Sequence, residues 1–453
     1  MRGTRIEISG FLDRLVKQRG RAARNLTAMT PTPMPLDEID LSAIDFWERP
    51  ADEIDGAFLT LRREDPRRFF DEMPVEPPMI QGRGYYSLTR HADVVEASRH
   101  PERFCSGQGT NIPDMPPAFN EFFGSMINLD DPRHARMRRI VSRGFTPRQL
   151  GQLQGDVEGI AREVVDGIIE KGECDFVTEV AATLPLRIIL DLMGIPRSEE
   201  KFVFDRTNII LGLADEEYVP DQTVTGIMTA VLTAGQELAG LVSELGTARQ
   251  KEPTDDMVSA LVNAEVDGEH LTPDELGSFF ILLVVAGNET TRNAIAHGTI
   301  ALAQHPDQRQ IWLDDLDGVT PTAVEEVVRW ATPVQHFRRT VTEDGVRLGE
   351  QEFSAGDKVV LWYRSANRDE AVFDDPYRFD VRRTPNDHVG FGGPGPHFCL
   401  GAHLARREVG VMMRELITRI PDLEPGEPDI LRSSFIHGVK HLPVTFTPGP
   451  RSA

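Results

Sequence analysis

Apolar residues recur at helical spacing through most of the chain. The spacing predicts helices over 133–145, 150–170, 197–213, 221–250, 272–304 and 402–416. Stretches rich in β-branched and aromatic residues predict short strands over 84–89, 344–349 and 358–363. Helix strongly outweighs strand, so the pattern predicts a mainly α protein.

The longest helical window without proline lies between Pro273 and Pro306, and its centre is unusual. Eight apolar residues, 279–286, lead directly into the polar sequence GNETT. Glycine and threonine weaken a helix interior, and a threonine hydroxyl there can bond the carbonyl of the preceding turn. One interpretation is a buried helix with a polar exit. The other is a core helix that opens beside a cofactor and presents an acid and a hydroxyl to it.

The N-terminal residues differ from the rest of the chain. The first 25 are basic with interleaved apolar residues, lack the apolar core of a signal peptide, and precede a segment rich in proline and threonine. We therefore expect a loosely ordered extension and linker over 1–40, followed by a single domain over 41–453. No run reaches the roughly 18 apolar residues that a membrane span needs.

Composition narrows the class of protein. The chain has 453 residues, of which 40% are hydrophobic and 27% charged, with a formal net charge of −23. This charge argues against nucleic-acid and anionic-membrane partners. The chain has three cysteines, Cys105, Cys174 and Cys399. Their odd number and wide spacing favour neither a disulfide framework nor a zinc site. The sequence predicts a cytoplasmic protein.

The most distinctive stretch is VGFGGPGPHFCLG, residues 389–401, which directly precedes the predicted helix 402–416. A helix N-terminus stabilises a thiolate, the form of Cys399 that would bind a metal or act as a nucleophile. Glycines such as Gly401 let a flat cofactor approach the backbone, because they have no Cβ. The spacing of the glycines does not match a phosphate-binding loop.

The pattern F-G-G-P-G-P-H-F-C-L-G resembles the haem-binding loop of the cytochromes P-450, a family of haem-thiolate monooxygenases. Other motifs follow the family's order: A-G-N-E-T-T at 286–291, E-x-x-R at Glu326 and Arg329, and DPYRFD after them. The resemblance covers about residues 40–447. It implies the cytochrome P-450 fold, in which a large helical body carries a smaller β-rich part.

The resemblance also implies roles for individual residues. Cys399 would be the thiolate ligand of the iron of haem b. Glu289 and Thr290 would deliver protons to dioxygen, and Gly287 would leave a groove for it. The remaining residues expected at the haem are His134, Arg138, Arg339 and His397 at the propionates, and Ala286, Phe391 and Gly401 elsewhere.

Two further features come from the same comparison. Glu326, Arg329 and Arg378 resemble the family's buried Glu-Arg-Arg cluster, in which the loss of one charge costs on the order of several kcal/mol. Phe391 stands eight residues before Cys399 instead of the usual seven, with Gly392 in the usual place. A similar longer loop occurs in bacterial enzymes that oxidise sterol side chains and methyl-branched lipids.

The implied reaction is hydroxylation of an unactivated C–H bond with O2 and two external electrons. The chain offers no flavin or NAD site, so ferredoxin and ferredoxin reductase are the expected electron donors. Residues 133–148 hold six arginines and no acid, a conspicuous patch in an acidic protein. We predict that an acidic ferredoxin docks there. The patch residues are Arg133, Arg136, Arg139 and Arg143.

The expected substrate follows from the resemblance to this family and from the apolar character of the residues expected to line the pocket. The expected pocket residues are Leu282, Val285, Ala286, Val334 and Phe435. We expect terminal hydroxylation of a methyl-branched lipid or a sterol side chain, with another fatty acid, a terpene or a macrolide as the alternative substrate. A non-catalytic haem-thiolate sensor and a Cys/His hydrolase are alternatives from other functional classes.

Overall fold

Helices dominate the structure, a computed structural model that describes residues 30–75, 80–145, 147–264 and 270–452. At 143, 144 and 147–154 only the backbone is described. The α-helices are α1 Ala51–Glu64, α2 His91–Arg99, α3 Pro117–Gly124, α4 Arg133–Val141, α5 Pro147–Ile168, α6 Thr183–Met193, α7 Glu200–Leu211, α8 Val224–Lys251, α9 Met257–Val262, α10 Pro273–Gln304, α11 Pro306–Asp314, α12 Leu316–Ala331, α13 Tyr363–Ala366 and α14 Ala402–Arg419. Single turns of 3-10 helix lie at Leu36–Glu38, Ile44–Glu48, Ser125–Asn128, Ser142–Phe145 and Arg197–Glu199, and a π-helical turn at Val177–Ala181.

The predicted long helices are confirmed. The central one, α10, runs unbroken through the polar sequence GNETT. It begins with a capping box, in which the side chains of Thr272 and Glu275 each bond the other's backbone N–H. The hydroxyl of Thr290 donates to the carbonyl of Ala286 at 2.6 Å, the local bond expected of a threonine in a helix interior.

The strands form one larger sheet and several small ones. The strands are β1 Phe69–Phe70, β2 Tyr85–Leu88, β3 Phe104–Cys105, β4 Glu173–Asp175, β5 His336–Val341, β6 Val346–Leu348, β7 Gln351–Phe353, β8 Lys358–Trp362, β9 Glu424–Pro425, β10 Asp429–Ile430, β11 Val439–His441 and β12 Pro443–Thr445. The larger sheet has the order β1-β2-β8-β5-β3. In it β2 and β8 are parallel and the other neighbours antiparallel.

The strands β2, β6 and β8 were predicted, whereas β5 was missed. Its sequence HFRRTV interrupts the alternation of apolar and polar residues with two consecutive arginines. The structure buries Arg338, and its guanidinium donates to the carboxylate of Asp114 at 2.7 Å and to neighbouring carbonyls. A polar segment therefore fills an internal strand because its charge is compensated locally.

The largest apolar cluster lies among the helices α5, α6, α10, α12 and α14. A smaller cluster joins the N-terminal segment to the sheet, with the rings of Trp47 and Trp362 stacked 5.1 Å apart. Met34 and Ile39 are buried in it, so the compact unit begins at Pro31, earlier than the predicted boundary at residue 41. The rest of the predicted extension, residues 1–29, lies outside the described residues. Within the ranges described, no helix has the length and apolarity to cross a bilayer.

Candidate functional site

Cys399 ends a tightly turned loop that leads into α14. Its amide donates to the carbonyl of Phe391 at 3.0 Å. Gly392, the residue that occupies phenylalanine's usual place, has φ +85°, and its amide bonds Val389 at 2.9 Å. A left-handed turn of this kind favours glycine. The loop therefore turns at Gly392 and keeps the carbonyl of Phe391 bonded to the amide of Cys399.

The loop also packs tightly on α2. A Cβ at Gly395 would lie 2.1 Å from the carbonyl oxygen of Ser98, so no larger residue fits there without backbone movement. On the other side of the loop, the guanidinium of Arg406 lies 4.3 Å from the ring centroid of Phe391 and also binds the carboxylate of Glu325. The cysteine loop is thus held by α2 on one side and by Arg406 of α14 on the other.

Burial dominates the electrostatics of the thiol. It raises the pKa of Cys399, while the backbone N–H of Gly401 and the guanidinium groups of Arg138 and Arg406 oppose the rise. The stabilisation of a thiolate expected near a helix N-terminus is therefore outweighed by desolvation. A bound cation is what would favour the thiolate in such a place.

Four predicted propionate contacts converge on one region. The rings of His134 and His397 lie 4.2 Å apart, and Arg138 and Arg339 are close enough to act on His397 electrostatically. Burial, then Arg339, His134 and Arg138, lower the pKa of His397 to about 2. Burial likewise lowers the pKa of His134 and of Arg339. Such a gathering of buried basic groups is stabilised by an anion.

The residues present fit a haem. Nε2 of His134 is buried and makes no hydrogen bond with any described residue. Buried polar atoms normally have a hydrogen-bond partner, so this nitrogen indicates a bound polar group. Haem carboxylates would supply both that acceptor and the missing negative charge. Ser106, which sequence reasoning missed, adds a hydroxyl 3.2 Å from Nε2 of His397. No sequence signal marks it, because Ser106 and His397 are 291 residues apart in the chain.

The predicted proton-delivery residues lie in the middle of α10. The carboxylate of Glu289 is buried, pairs with Arg292, and accepts a hydrogen bond from Asn293 at 2.9 Å. Ala286 is solvent-exposed and Thr290 partly exposed, although both lie within a core helix. The face of α10 that carries them is therefore only partly covered by other described residues. Arg292 was missed, although it follows Glu289 at the same spacing as Arg329 follows Glu326.

Gly287 allows close packing of helices. A Cβ at this position would lie 2.7 Å from Cδ1 of Ile189 in α6. A side chain at 287 would therefore push on α6. The groove for dioxygen that the family resemblance assigns to Gly287 remains a prediction.

The predicted pocket residues fall into two groups. Leu282 and Val285 pack against the helical core and, with Ala286, line one face of α10. Val334 forms a bridge to Ile436, next to Phe435. The ring of Phe435 lies 5.6 Å from that of Phe337, a half-buried residue of β5. Phe337 was not predicted as a pocket residue, because strand β5 itself was not predicted.

The buried ion cluster of α12 differs from the prediction in one residue. Arg329 binds Glu326 through two hydrogen bonds of 2.7 Å, and both side chains are fully buried. The second guanidinium belongs to Arg383, whose Nε lies 3.1 Å from the same carboxylate. The assignment of Arg378 is therefore wrong. Its side chain is exposed, and it contributes its carbonyl, which accepts from both arginines.

The predicted arginine patch is partly compensated. Arg133 pairs with Glu121, and Arg136 pairs with Glu275 at 2.8 Å, so acids from α3 and α10 neutralise both. Arg139 is exposed on α4. The side chain of Arg143 lies outside the described residues. The sequence run contained no acid because the compensating acids come from other helices.

Comparison with known proteins agrees with this geometry. A model of the family "cytochrome P-450" matches residues 217–420. The chain is 47% identical to a methyl-branched lipid omega-hydroxylase of Mycobacterium tuberculosis, over 94% of this chain and 98% of the relative. It is 40% identical to a steroid C26-monooxygenase of Mycolicibacterium smegmatis, over 92% of this chain and 96% of the relative. A cytochrome P-450 of Mycobacterium marinum, solved with pseudoionone, matches with a TM-score of 0.86 and 40% identity over 91% of this chain and 99% of that one.

Proposed function

Because the chain belongs to the cytochrome P-450 family of monooxygenases, we propose that it hydroxylates the terminal carbon of a methyl-branched lipid or of a sterol side chain. The observation that carries the choice of substrate is the pair of relatives with these activities, each aligned along nearly its whole length. The half-buried apolar residues Leu282, Val334 and Phe435 support it, since an aliphatic substrate needs an apolar wall.

Cys399 is the residue that we propose as haem ligand, with His134, Arg138, Arg339 and His397 holding the propionates. When bound, the haem supplies the oxidative chemistry. Arg406 and Phe391 fix the cysteine loop. Thr290 and Glu289 hold the protons of the reaction, Thr290 on the partly covered face of α10 and Glu289 buried beside it.

We propose a ferredoxin, reduced by its reductase, as the electron donor. Phe398 is exposed beside Cys399, and its carbonyl accepts from Arg138 of α4 at 2.7 Å, so the exposed Arg139 lies on a helix tied to the cysteine loop. An exposed aromatic residue with arginines near it suits an acidic protein partner. The free cysteines fit a reducing cytoplasm.

The electron-donor proposal is tested by reversing the charge of Arg139. We expect R139E to lower the rate of reduction by ferredoxin about tenfold at low ionic strength, with a weaker dependence on salt. Arg347, an exposed arginine of the β6–β7 hairpin, provides the control R347E. Equal rates and salt dependences for wild type and R139E would contradict docking at this position.

The substrate proposal is tested by binding before turnover. Titration of the haem-loaded protein with a methyl-branched fatty acid, a straight-chain fatty acid of the same main-chain length and a sterol should shift the Soret band. We expect the branched lipid or the sterol to bind at least about tenfold more tightly than the straight chain, because the extra methyl groups bury more apolar surface. Equal affinity for all three would defeat the proposed substrate class.

A further inference from the structure

The acid Glu289 is held by two residues of its own helix. Its carboxylate pairs with the guanidinium of Arg292 and accepts a hydrogen bond from Nδ2 of Asn293 at 2.9 Å. All three side chains are buried. The orientation of the carboxylate therefore depends on what holds Arg292 and Asn293 in place.

Each of these two partners is bonded to a different element. Nη1 of Arg292 donates to Oδ1 of Asn208 in α7 at 2.9 Å. Oδ1 of Asn293 accepts from the backbone N–H of Val439 in β11 at 2.9 Å. The acid is thus connected through one side chain to α7, and through another to the C-terminal strands.

The connection closes through the segment that follows α7. Lys440, next to Val439, pairs with Asp215 at 3.1 Å and with Glu217 at 3.1 Å. Both acids lie in the connection from α7 to α8. A ring of polar contacts consequently runs from Glu289 to α7, on to this connection, to β11, and back to Glu289.

Helix α7 is held by both apolar and polar contacts. Its buried residues are Val203, Thr207 and Asn208, two of which are polar. Phe202, Phe204 and Ile210 are partly buried against the helical core as well, and polar contacts add to this packing. The bond from Asn208 to Arg292 is one of those contacts, and it lies at the buried face of α7.

From this arrangement we infer that Arg292 is a positioning residue that links the orientation of Glu289 to the seating of α7. The link is reciprocal and runs through Asn208: its bond to Arg292 favours the held carboxylate, and loss of the carboxylate loosens α7. The consequence for the reaction rests on the proposed role of Glu289 in proton delivery, whereas the link itself does not.

The link is tested in the haem-loaded full chain without turnover, by hydrogen–deuterium exchange of the α7 amides. We expect E289Q, which removes the charge that pairs with Arg292, to raise exchange across α7 about fivefold. N208A should do the same, and N208D, which keeps an acceptor oxygen for Arg292, should remain close to wild type. Unchanged α7 exchange in E289Q would overturn the inference.

A matched control separates the link from general loosening of α7. Arg206 lies on the same helix but pairs with Glu237 of α8 at 2.8 Å. We expect R206A and N208A both to raise α7 exchange, while N208A alone changes the pH profile of product formation and the share of electrons lost as peroxide. Equal changes of the pH profile and of the peroxide share in the two variants would contradict the role of Arg292.

The two proposals fail in different ways. If E289Q loosens α7 but leaves the pH profile and the peroxide share unchanged, the link stands and proton delivery by Glu289 is refuted. If E289Q alters the pH profile while α7 exchange remains that of wild type, proton delivery stands and the link is refuted.

Discussion

Replacement of Arg383 by alanine should destabilise the fold far more than replacement of Arg378. The carboxylate of Glu326 is fully buried and binds both Arg329 and Arg383. Arg378 was the second arginine expected from the sequence, yet its side chain is exposed. The two alanine variants therefore discriminate between the arrangement in the structure and the one read from the motif.

The structure sets the magnitudes. Nε of Arg383 lies 3.1 and 3.3 Å from the carboxylate oxygens of Glu326, and its other nitrogens donate to three backbone carbonyls at 2.7, 3.1 and 2.8 Å. Loss of one member of a buried ion pair costs about 3–5 kcal/mol. Because Arg329 remains to balance Glu326, we expect the lower end, about 3 kcal/mol. Arg378→Ala should cost about 0.5 kcal/mol, because the carbonyl that binds both arginines is kept.

The assay is urea unfolding of the haem-loaded protein at 25 °C, followed by far-ultraviolet circular dichroism. R383A should lower the unfolding midpoint clearly, and R378A should overlay the wild type. Glu326→Gln supplies an upper reference, since it leaves both arginines without their carboxylate. Equal losses for R383A and R378A, or a larger loss for R378A, would refute the arrangement.

Three further predictions concern a buried acid, the strain at a loop glycine and one haem contact. Burial raises the pKa of Glu408 to about 8, so this acid is neutral when folded but ionised when unfolded between about pH 4.5 and 8. Stability should therefore fall as pH rises through that window by up to about 5 kcal/mol; E408Q should abolish the fall and E415Q, on the same helix, should keep it. Gly392→Ala and Gly345→Ala, at φ +85° and +83°, should each cost about 1–2 kcal/mol, but G392A alone should alter the absorption band of the reduced, carbon-monoxide-treated protein. His134→Ala should speed haem transfer to apomyoglobin about tenfold, because one charge-assisted bond is lost; an unchanged rate would contradict that contact.

The sequence was informative where one element carries the whole signal. Helices α8, α10 and α14 follow from apolar spacing, and the capping box of Thr272 and Glu275 is local to four residues. The cysteine loop is likewise a continuous stretch. Its left-handed turn at Gly392 uses the residue type that such a turn requires.

The sequence was less informative where partners come from distant parts of the chain. Arg378 and Arg383 stand five residues apart in the segment that follows β8, and only the path of the backbone decides which guanidinium reaches Glu326. Arg136 read as unpaired because Glu275 lies in another helix. The bond between Arg292 and Asn208 joins residues far apart in the chain, so neither segment alone predicts it.

The central claim is terminal hydroxylation of a methyl-branched lipid or a sterol side chain, and product analysis tests it most directly. The haem-loaded protein, supplied with ferredoxin, its reductase and O2, would be given a methyl-branched fatty acid and a sterol with an intact side chain. The position of the new hydroxyl group would then be read by nuclear magnetic resonance. We predict oxidation at the terminal carbon of at least one of them. Oxidation only at internal carbons, or no product from protein that shows the thiolate-type absorption band, would contradict the account.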